Sequence, residues 1–149
     1  KDIYNENDIF FIGRNIDYAL CMEGSLKLKE ISYIHSEAYA AGELKHGTIS
    51  LIDKDTPVIA IVTKENIKEK TISNIKEVKA RGAKVILVTN DTTIDKDIYD
   101  EIIIVPKVSE LVQSLITIVP LQILSYEVAK LRGCDIDKPK NLAKSVTVE

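Results

Sequence analysis

The chain has 149 residues, of which 45% are hydrophobic and 29% are charged, and its formal net charge is −3. This length and composition are ordinary for one soluble globular domain, and a weakly acidic balance without a basic stripe argues against nucleic acid as a partner. Cys21 and Cys134 stand far apart and outside any CxxC spacing, which predicts two free thiols in a cytoplasmic protein.

The first half of the chain predicts two buried strands separated by a long helix. The apolar run at 8–13 ends in a glycine, which is typical of a buried strand. A helical pattern follows at 17–39, and Asp17 is placed to cap its start. The run at 57–62 is rich in isoleucine and valine, so it predicts a second buried strand.

The second half alternates helices and strands. An amphipathic helix is predicted at 65–81, strands at 84–89 and 101–105, and a long apolar helix at 109–132. Because the last helix is apolar on more than one face, it is either central or packs its outer side on a partner domain. Its apolar stretch is interrupted by Pro120 and by polar residues, and we expect it to be too short to span a bilayer.

These elements together predict an α/β fold. Strands made of continuous apolar runs and joined by helices form parallel sheets covered on both faces. We therefore expect a three-layer α/β/α sandwich with a flavodoxin-like parallel sheet of four to five strands. The helical pattern stops at Gly133, which divides the chain into a folded domain at 1–133 and a C-terminal tail at 134–149. A polar start without an initiator methionine predicts no signal peptide and a piece of a longer protein.

Three charged residues share one face of the first predicted helix. Glu23, Lys27 and Glu30 are spaced i, i+4 and i+7, so Lys27 can pair with both carboxylates. They fall between two apolar stripes, and charges flanked by apolar surface are partly desolvated, which suits a carboxylate for proton transfer. A structural ion-pair ladder is the alternative. The face expected to be solvated holds other residues: Ser25, Lys29, Ser32 and Ser36.

The two histidines predict different roles. His35 falls on an apolar stripe of the predicted helix, so we expect a buried core residue. His46 lies between Gly42 and Gly47, where glycine permits close backbone approach and a positive φ. A side chain that titrates near neutral pH in such a loop is a candidate general acid or base.

The tail carries one amine with an unusual setting. Lys144 is flanked by Ala143, Ser145 and Val146, which are small or apolar. An amine among such neighbours can lose part of its hydration, which lowers its pKa and makes it a nucleophile toward carbonyls. An ordinary solvated surface lysine is the alternative.

Two segments, 23–47 and 141–149, resemble the second sugar isomerase (SIS) half of the glutamine–fructose-6-phosphate aminotransferase family. The similarity covers nearly the whole chain and is dense in those two segments. It implies a SIS fold for 1–133 and a catalytic tail at 134–149. It also implies the reaction of the family, in which fructose 6-phosphate and ammonia from glutamine give glucosamine 6-phosphate.

The resemblance implies roles for the charged helix and for one histidine. Glu30 would be the acid/base that moves a proton between C1 and C2 of the sugar, with Lys27 as a supporting cation and Glu23 behind them. His46 would open the fructose ring in the site of a neighbouring subunit, which implies a homodimer. Thr48 stands where the family often has proline.

The same resemblance assigns the tail a role. Lys144 would meet the carbonyl of the open-chain ketose, by Schiff base or by close electrostatic contact. Three neighbours would shape the tail around the sugar: Asn141, Ala143 and Ser145. The resemblance implies no cofactor, and no metal-ligand spacing is found in the sequence.

Parts of the family's active site have no counterpart in this sequence. A phosphate cradle needs backbone N–H groups and hydroxyls at a helix N-terminus; in the family it belongs to the first SIS half, and ammonia comes from a glutaminase domain. We therefore expect both as partners within one full-length cytoplasmic chain, no membrane contact, and no activity of this chain alone. A deglycase, a sugar-phosphate sensor and a structural dimerisation module are the alternatives.

Overall fold

The computed structural model describes residues 3–140 and contains one five-stranded sheet. Its strands are β1 Asp8–Gly13, β2 His35–Ala40, β3 Pro57–Val62, β4 Lys84–Thr89 and β5 Glu101–Ile104. The spatial order is β2-β1-β3-β4-β5, as in flavodoxin-like folds. All neighbouring strands pair in parallel, so the predicted parallel sheet is confirmed.

Three helices cover the two faces of the sheet. They are α1 Ile16–Ser32, α2 Lys68–Lys79 and α3 Glu110–Leu131. α1 and α3 pack against each other on one face, and α2 lies on the other. The predicted three-layer sandwich is therefore confirmed. Short 3-10 turns lie between these elements: Leu44–His46, Thr48–Leu51, Glu65–Ile67 and Lys96–Ile98.

Alternate side chains of the central strands fill two separate cores. In β1, Ile9 and Phe11 join the core beneath α1 and α3, whereas Phe10 and Ile12 join the core beneath α2. A strand covered on both faces needs apolar residues at nearly every position. This is why the bounds of β1, β3 and β4 match those predicted from their apolar runs.

The single helix predicted at 17–39 is wrong in its second half. α1 ends at Ser32, Tyr33 adopts a left-handed backbone conformation with φ of 60°, and β2 follows almost at once. Among the strands of residues 3–140, β2 pairs with β1 alone and so forms an edge of the sheet. Most of its residues are only partly buried, so it lacks the continuous apolar run by which a central strand is recognised.

α1 is also rotated relative to the prediction. Ser25, Ser32 and Ser36 were expected in solvent but are buried, and Ser25 Oγ lies 2.9 Å from Ser36 Oγ. Met22 and Leu26 are exposed instead. The serines are tolerated inside because their hydroxyls are hydrogen-bonded. The hydroxyl of Ser32, for example, donates to a backbone carbonyl one turn earlier at 2.6 Å.

Asp17 does not cap α1, contrary to the prediction. The N-cap position is Asn15, and the carboxylate of Asp17 accepts hydrogen bonds from Thr63 N at 2.8 Å and Thr63 Oγ1 at 2.5 Å. Burial raises the pKa of Asp17 in spite of these hydrogen bonds. The contact ties the first turn of α1 to the residue that follows β3.

α3 buries three polar side chains along with three apolar ones, and it exposes several apolar side chains. Its buried residues include Gln113, Thr117 and Ser125, whereas Leu111 is 92% exposed and Leu115 is 66% exposed. Within residues 3–140, α3 is the one helix long and apolar enough to cross a membrane, so the expectation that its apolar stretch is too short does not hold. One such helix is weak evidence of a membrane span, because core helices of water-soluble proteins meet the same criteria.

Candidate functional site

The charged triad predicted from spacing lies on one flank of α1. Lys27 Nζ is 2.7 Å from Glu30 Oε2 and 3.7 Å from Glu23 Oε1. The side chain of Glu30 is 23% exposed, that of Lys27 34% and that of Glu23 41%, so the triad is half-buried beside the packed side of the helix. The predicted pairing of Lys27 with both carboxylates is confirmed.

Lys27 holds a positive charge next to Glu30. The hydrogen bond to Glu30 raises the pKa of Lys27 and outweighs the opposing effect of burial, so this amine stays an ammonium ion near neutral pH. Its hydrogen bond orients one carboxylate oxygen of Glu30. The arrangement can therefore present a carboxylate in a fixed orientation with its counter-ion already in place.

The last described residues return to the end of α1. Tyr33 Oη accepts a hydrogen bond from the backbone N–H of Lys140 at 2.8 Å, and Lys140 Nζ lies 4.8 Å from the centre of the Tyr33 ring. Cys134 Sγ is 3.8 Å from the carbonyl oxygen of Ser32. The first part of the tail, residues 134–140, is thus docked beside the helix end that carries Glu30, and we call it the root of the tail.

Four predicted site residues lie outside the described residues: Asn141, Ala143, Lys144 and Ser145. The contact between Tyr33 and Lys140, which precedes them, was not predicted. These two residues are 107 positions apart in the chain, and no local spacing pattern signals a contact of that range.

His46 ends the 3-10 turn that follows β2, and it is exposed. The next residue, Gly47, has φ of 153°, a conformation that glycine adopts without strain. The space around the Gly47 Cα is open. The loop therefore presents His46 outward from the domain.

Glu30 and His46 lie at opposite ends of the strands, Glu30 at the amino ends and His46 at the carboxyl ends. α1 begins after the carboxyl end of β1 and runs back to the amino end of β2, so Glu30, near its last residue, lies at the amino edge. His46 follows the carboxyl end of β2. β2 has six residues and spans roughly 20 Å. One chain therefore does not bring these two side chains together.

His35 is exposed, so its predicted place in the core is wrong. It is the first residue of β2 rather than part of a helix, its side chain is 62% exposed, and its Nδ1 lies 2.6 Å from Asp8 Oδ1. Both residues line an acidic cleft of about 500 Å³ at the amino edge of the sheet. Among residues 3–140, no three His, Cys, Asp or Glu side chains are grouped as a metal site would require.

The SIS domain family matches residues 2–132 of the chain. Glutamine–fructose-6-phosphate aminotransferase (isomerizing) of Caldanaerobacter subterraneus subsp. tengcongensis is 54% identical over 147 residues, which cover 98% of this chain and 24% of that protein. The enzyme of the same name from Methanosarcina acetivorans is 57% identical over 142 residues, or 94% of this chain and 23% of that protein. The chain thus spans about a quarter of the length of the curated relatives it matches.

Solved structures share the fold. The C-terminal domain of glucosamine-fructose-6-phosphate aminotransferase from Francisella tularensis matches with a TM-score of 0.86 and 39% identity, over 92% of this chain and 39% of that one. Glucosamine-6-phosphate deaminase from Thermotoga maritima matches with a TM-score of 0.68 and 28% identity, over 95% of this chain and 40% of that one. In both cases more than half of the other chain lies beyond the matched unit.

Proposed function

The chain belongs to the SIS domain family, and from this premise we propose that it is the second isomerase half of a glutamine–fructose-6-phosphate aminotransferase. The longer enzyme would convert fructose 6-phosphate and glutamine-derived ammonia to glucosamine 6-phosphate. The observation that carries the proposal is the ion-paired, half-buried Glu30 at the end of α1, with the root of the tail docked beside it. Relatives of that name, above 50% identical across nearly the whole chain, support it.

Glu30 is the proposed acid/base. Ammonia adds to C2 of the open-chain ketose and water leaves, which gives a C2 imine. Glu30 then takes a proton from C1 while the imine nitrogen gains one, which gives an enolamine. The C1 hydroxyl loses its proton as C2 gains one, so that the nitrogen becomes an amine and C1 becomes an aldehyde. Lys27, held as a cation, lies 2.7 Å from Glu30 Oε2 and orients that oxygen. Glu23 helps to orient Lys27 from the previous turn.

The tail at 134–149 is proposed to complete the site, and 1–133 to be the SIS domain that supports it. Lys144 is four residues beyond Lys140, so its Cα lies within about 14 Å of the Lys140 Cα by chain length. It would approach the ketose carbonyl by Schiff base or by close electrostatic contact. The neighbours Asn141, Ala143 and Ser145 would shape the tail around the sugar.

His46 is proposed to act in the site of a neighbouring subunit, where it would open the fructose ring. The length of β2, roughly 20 Å, supports this, because Glu30 and His46 of one chain lie at opposite ends of that strand. A homodimer would place the His46 of one copy near the Glu30 of the other.

The remaining parts are proposed to come from the same longer chain. The first SIS half would bring the phosphate site and a glutaminase domain would bring ammonia, so the isolated chain is expected to be inactive. The exposed apolar face of α3, which includes Leu111 and Leu115, supports a covering partner, because patches of this kind usually mark interfaces. The enzyme is proposed to work in the cytoplasm, with no nucleic acid or membrane as partner.

The first test is Glu30→Gln in the full-length enzyme. The amide keeps the shape of the side chain but cannot exchange the proton, so we expect formation of glucosamine 6-phosphate to fall by at least about 100-fold. Binding of glucosamine 6-phosphate, measured by calorimetry, should change by less than about threefold, since the phosphate contacts lie elsewhere.

Glu69→Gln is the matched control, because Glu69 is an exposed carboxylate on α2, on the other face of the sheet. It should leave both measurements unchanged. A Glu30→Gln enzyme that retains most of its activity would refute the assigned proton transfer.

A further inference from the structure

We propose that Tyr33 is a positioning residue that fixes the root of the catalytic tail beside Glu30. The inference rests on the proposed function. Two contacts carry it: the hydroxyl of Tyr33 accepts from the Lys140 backbone N–H at 2.8 Å, and the ring lies 4.8 Å from Lys140 Nζ. One side chain thus binds both the backbone and the cation of the last described residue.

The backbone of Tyr33 supports a role beyond packing. Its φ of 60° and ψ of 17° place an aromatic residue in the left-handed region, where bulky side chains are uncommon. Such outliers cost free energy and persist where the surroundings hold them in place. Here the left-handed turn ends α1 and presents the ring, which is 37% exposed, to the returning chain.

The contact also places the tail root close to the proposed acid/base. Tyr33 is three residues after Glu30, about one helical turn or ~4.5 Å along the axis. The four residues from Lys140 to Lys144 span at most about 14 Å. Anchoring Lys140 at Tyr33 therefore limits how far the amine of Lys144 can move from Glu30, and this restriction is the entropic contribution expected of a positioning residue.

The segment between Cys134 and Lys140 has its own local order. Asp135 Oδ1 accepts hydrogen bonds from the backbone N–H groups of Asp137 and Lys138, both at 3.0 Å. This turn shapes the chain but does not attach it to α1. Cys134 contacts the carbonyl of Ser32 where the tail begins, and Tyr33 attaches the tail again at Lys140, next to the predicted site residues.

The test uses Tyr33→Phe in the full-length enzyme. This variant removes the hydroxyl but keeps the ring over Lys140. Amide hydrogen exchange at Lys140 should become about two- to tenfold faster, since one hydrogen bond is lost. The kcat for glucosamine 6-phosphate formation should fall about tenfold, with KM for fructose 6-phosphate changed less than about twofold, because the tail contributes to the chemical step rather than to phosphate binding.

A second variant tests whether the aromatic ring that Tyr33→Phe keeps still holds Lys140 in place. Tyr33→Asn removes hydroxyl and ring, yet asparagine tolerates the left-handed conformation that ends α1. It should lower kcat further than Tyr33→Phe, with little change in melting temperature. Tyr126→Phe is the matched control, because Tyr126 on α3 also carries a lysine over its ring, at 6.0 Å. It should leave kcat and exchange at Lys140 unchanged.

Each outcome has a defined meaning. Unchanged exchange at Lys140 in Tyr33→Phe would overturn the anchor. Faster exchange with unchanged kcat in both Tyr33 variants would overturn the positioning role while leaving the proposed function intact. If Glu30→Gln is fully active, the acid/base role of Glu30 fails. If the full-length wild-type protein forms no glucosamine 6-phosphate, the proposed function itself fails, whatever the Tyr33 variants do.

Discussion

The carboxylate of Asp91 joins the loop after β4 to the start of α2. It accepts hydrogen bonds from Thr93 Oγ1 at 2.7 Å and Thr93 N at 2.8 Å, and Lys68 Nζ donates to it at 2.9 Å. These contacts, that of the Thr93 hydroxyl foremost, hold the pKa of Asp91 well below its usual range. At the scale of one residue, the ionised form of Asp91 is therefore a stabilising element.

Replacing this carboxylate should produce a pH-dependent loss of stability. Asp91→Asn should lower the free energy of unfolding by about 1–2 kcal/mol at pH 7, because the charge-assisted hydrogen bonds weaken. A depressed pKa in the folded state stabilises above the ordinary value of 3.8, and the benefit disappears as pH falls toward the folded pKa. The difference between wild type and variant should therefore shrink below about pH 4.

Urea unfolding monitored by circular dichroism between about pH 2.5 and 7 would measure this difference. Asp97→Asn, an exposed change in the same loop, should have little effect at any pH. If the difference in free energy of unfolding between wild type and Asp91→Asn stays constant as the pH falls, the charge of Asp91 does not cause the loss of stability.

At the scale of elements, α1 crosses α3 at a glycine. A Cβ on Gly24 would lie 2.9 Å from Leu121 Cδ1 and 3.1 Å from Phe11 Cε1, both in the buried core. These distances are too short for unperturbed packing. The absence of a side chain at Gly24 therefore sets how closely α1 approaches α3 and β1.

Gly24→Ala should destabilise the domain by about 1 kcal/mol. Alanine gains roughly 0.5–1 kcal/mol of helix propensity, but overpacking a core costs typically 1–3 kcal/mol. Chemical unfolding gives the net value. Ala19→Gly, at an exposed position of α1, measures the propensity separately. If Gly24→Ala is more stable than wild type, the contact with Leu121 is not limiting.

The elements differ in how far they can be predicted from sequence. β1, β3 and β4 are buried on both faces, so their apolar runs mark their bounds. β2 is an edge strand with several polar residues and no continuous apolar run, so the pattern that marks central strands does not mark it. The helix end at Tyr33 has no glycine to signal it, although Tyr33 adopts the left-handed conformation that glycine favours at such ends.

The candidate site shows the same division. The spacing of Glu23, Lys27 and Glu30 is local, so their ion pairing follows from helix geometry alone. The burial of Ser25 depends on its partner Ser36, eleven residues away on the edge strand. Long-range contacts of this kind, like that between Tyr33 and Lys140, depend on the assembled fold and leave no pattern in the sequence.

At the scale of the whole molecule, α3 gives the domain an exposed apolar face. Leu111, Leu115, Val119 and Ile123 recur every four residues and are all exposed. Within the most apolar stretch of 18 residues in α3, only 28% is buried inside the domain. A surface of this kind favours association with another surface when its covering partner is missing.

The isolated 149-residue chain should therefore self-associate, and the double variant Leu115→Lys/Ile123→Lys should not. Both side chains are more than half exposed, so the change should shift the melting temperature by only a few degrees. Sedimentation velocity at micromolar concentration measures the association. Leu51→Lys, at an exposed leucine outside α3, is the control and should associate as wild type does. Association that persists in the double variant would exclude the α3 face.

The first half of α3 buries Gln113 and Thr117 and exposes leucine and valine side chains, so its two sides are under different evolutionary constraints. Gln113 bonds to Asn90 and to the backbone of Pro106 and Val108, and such inward polar contacts are fixed by the domain itself. The exposed positions are constrained only by the surface that covers them. A descendant that came to live as a free-standing domain would be expected to keep glutamine at 113 while its outward leucines and valines drift to lysine and glutamate. Homologues in which the exposed side of α3 has become charged while Gln113 is kept would then be those that function without the covering domain.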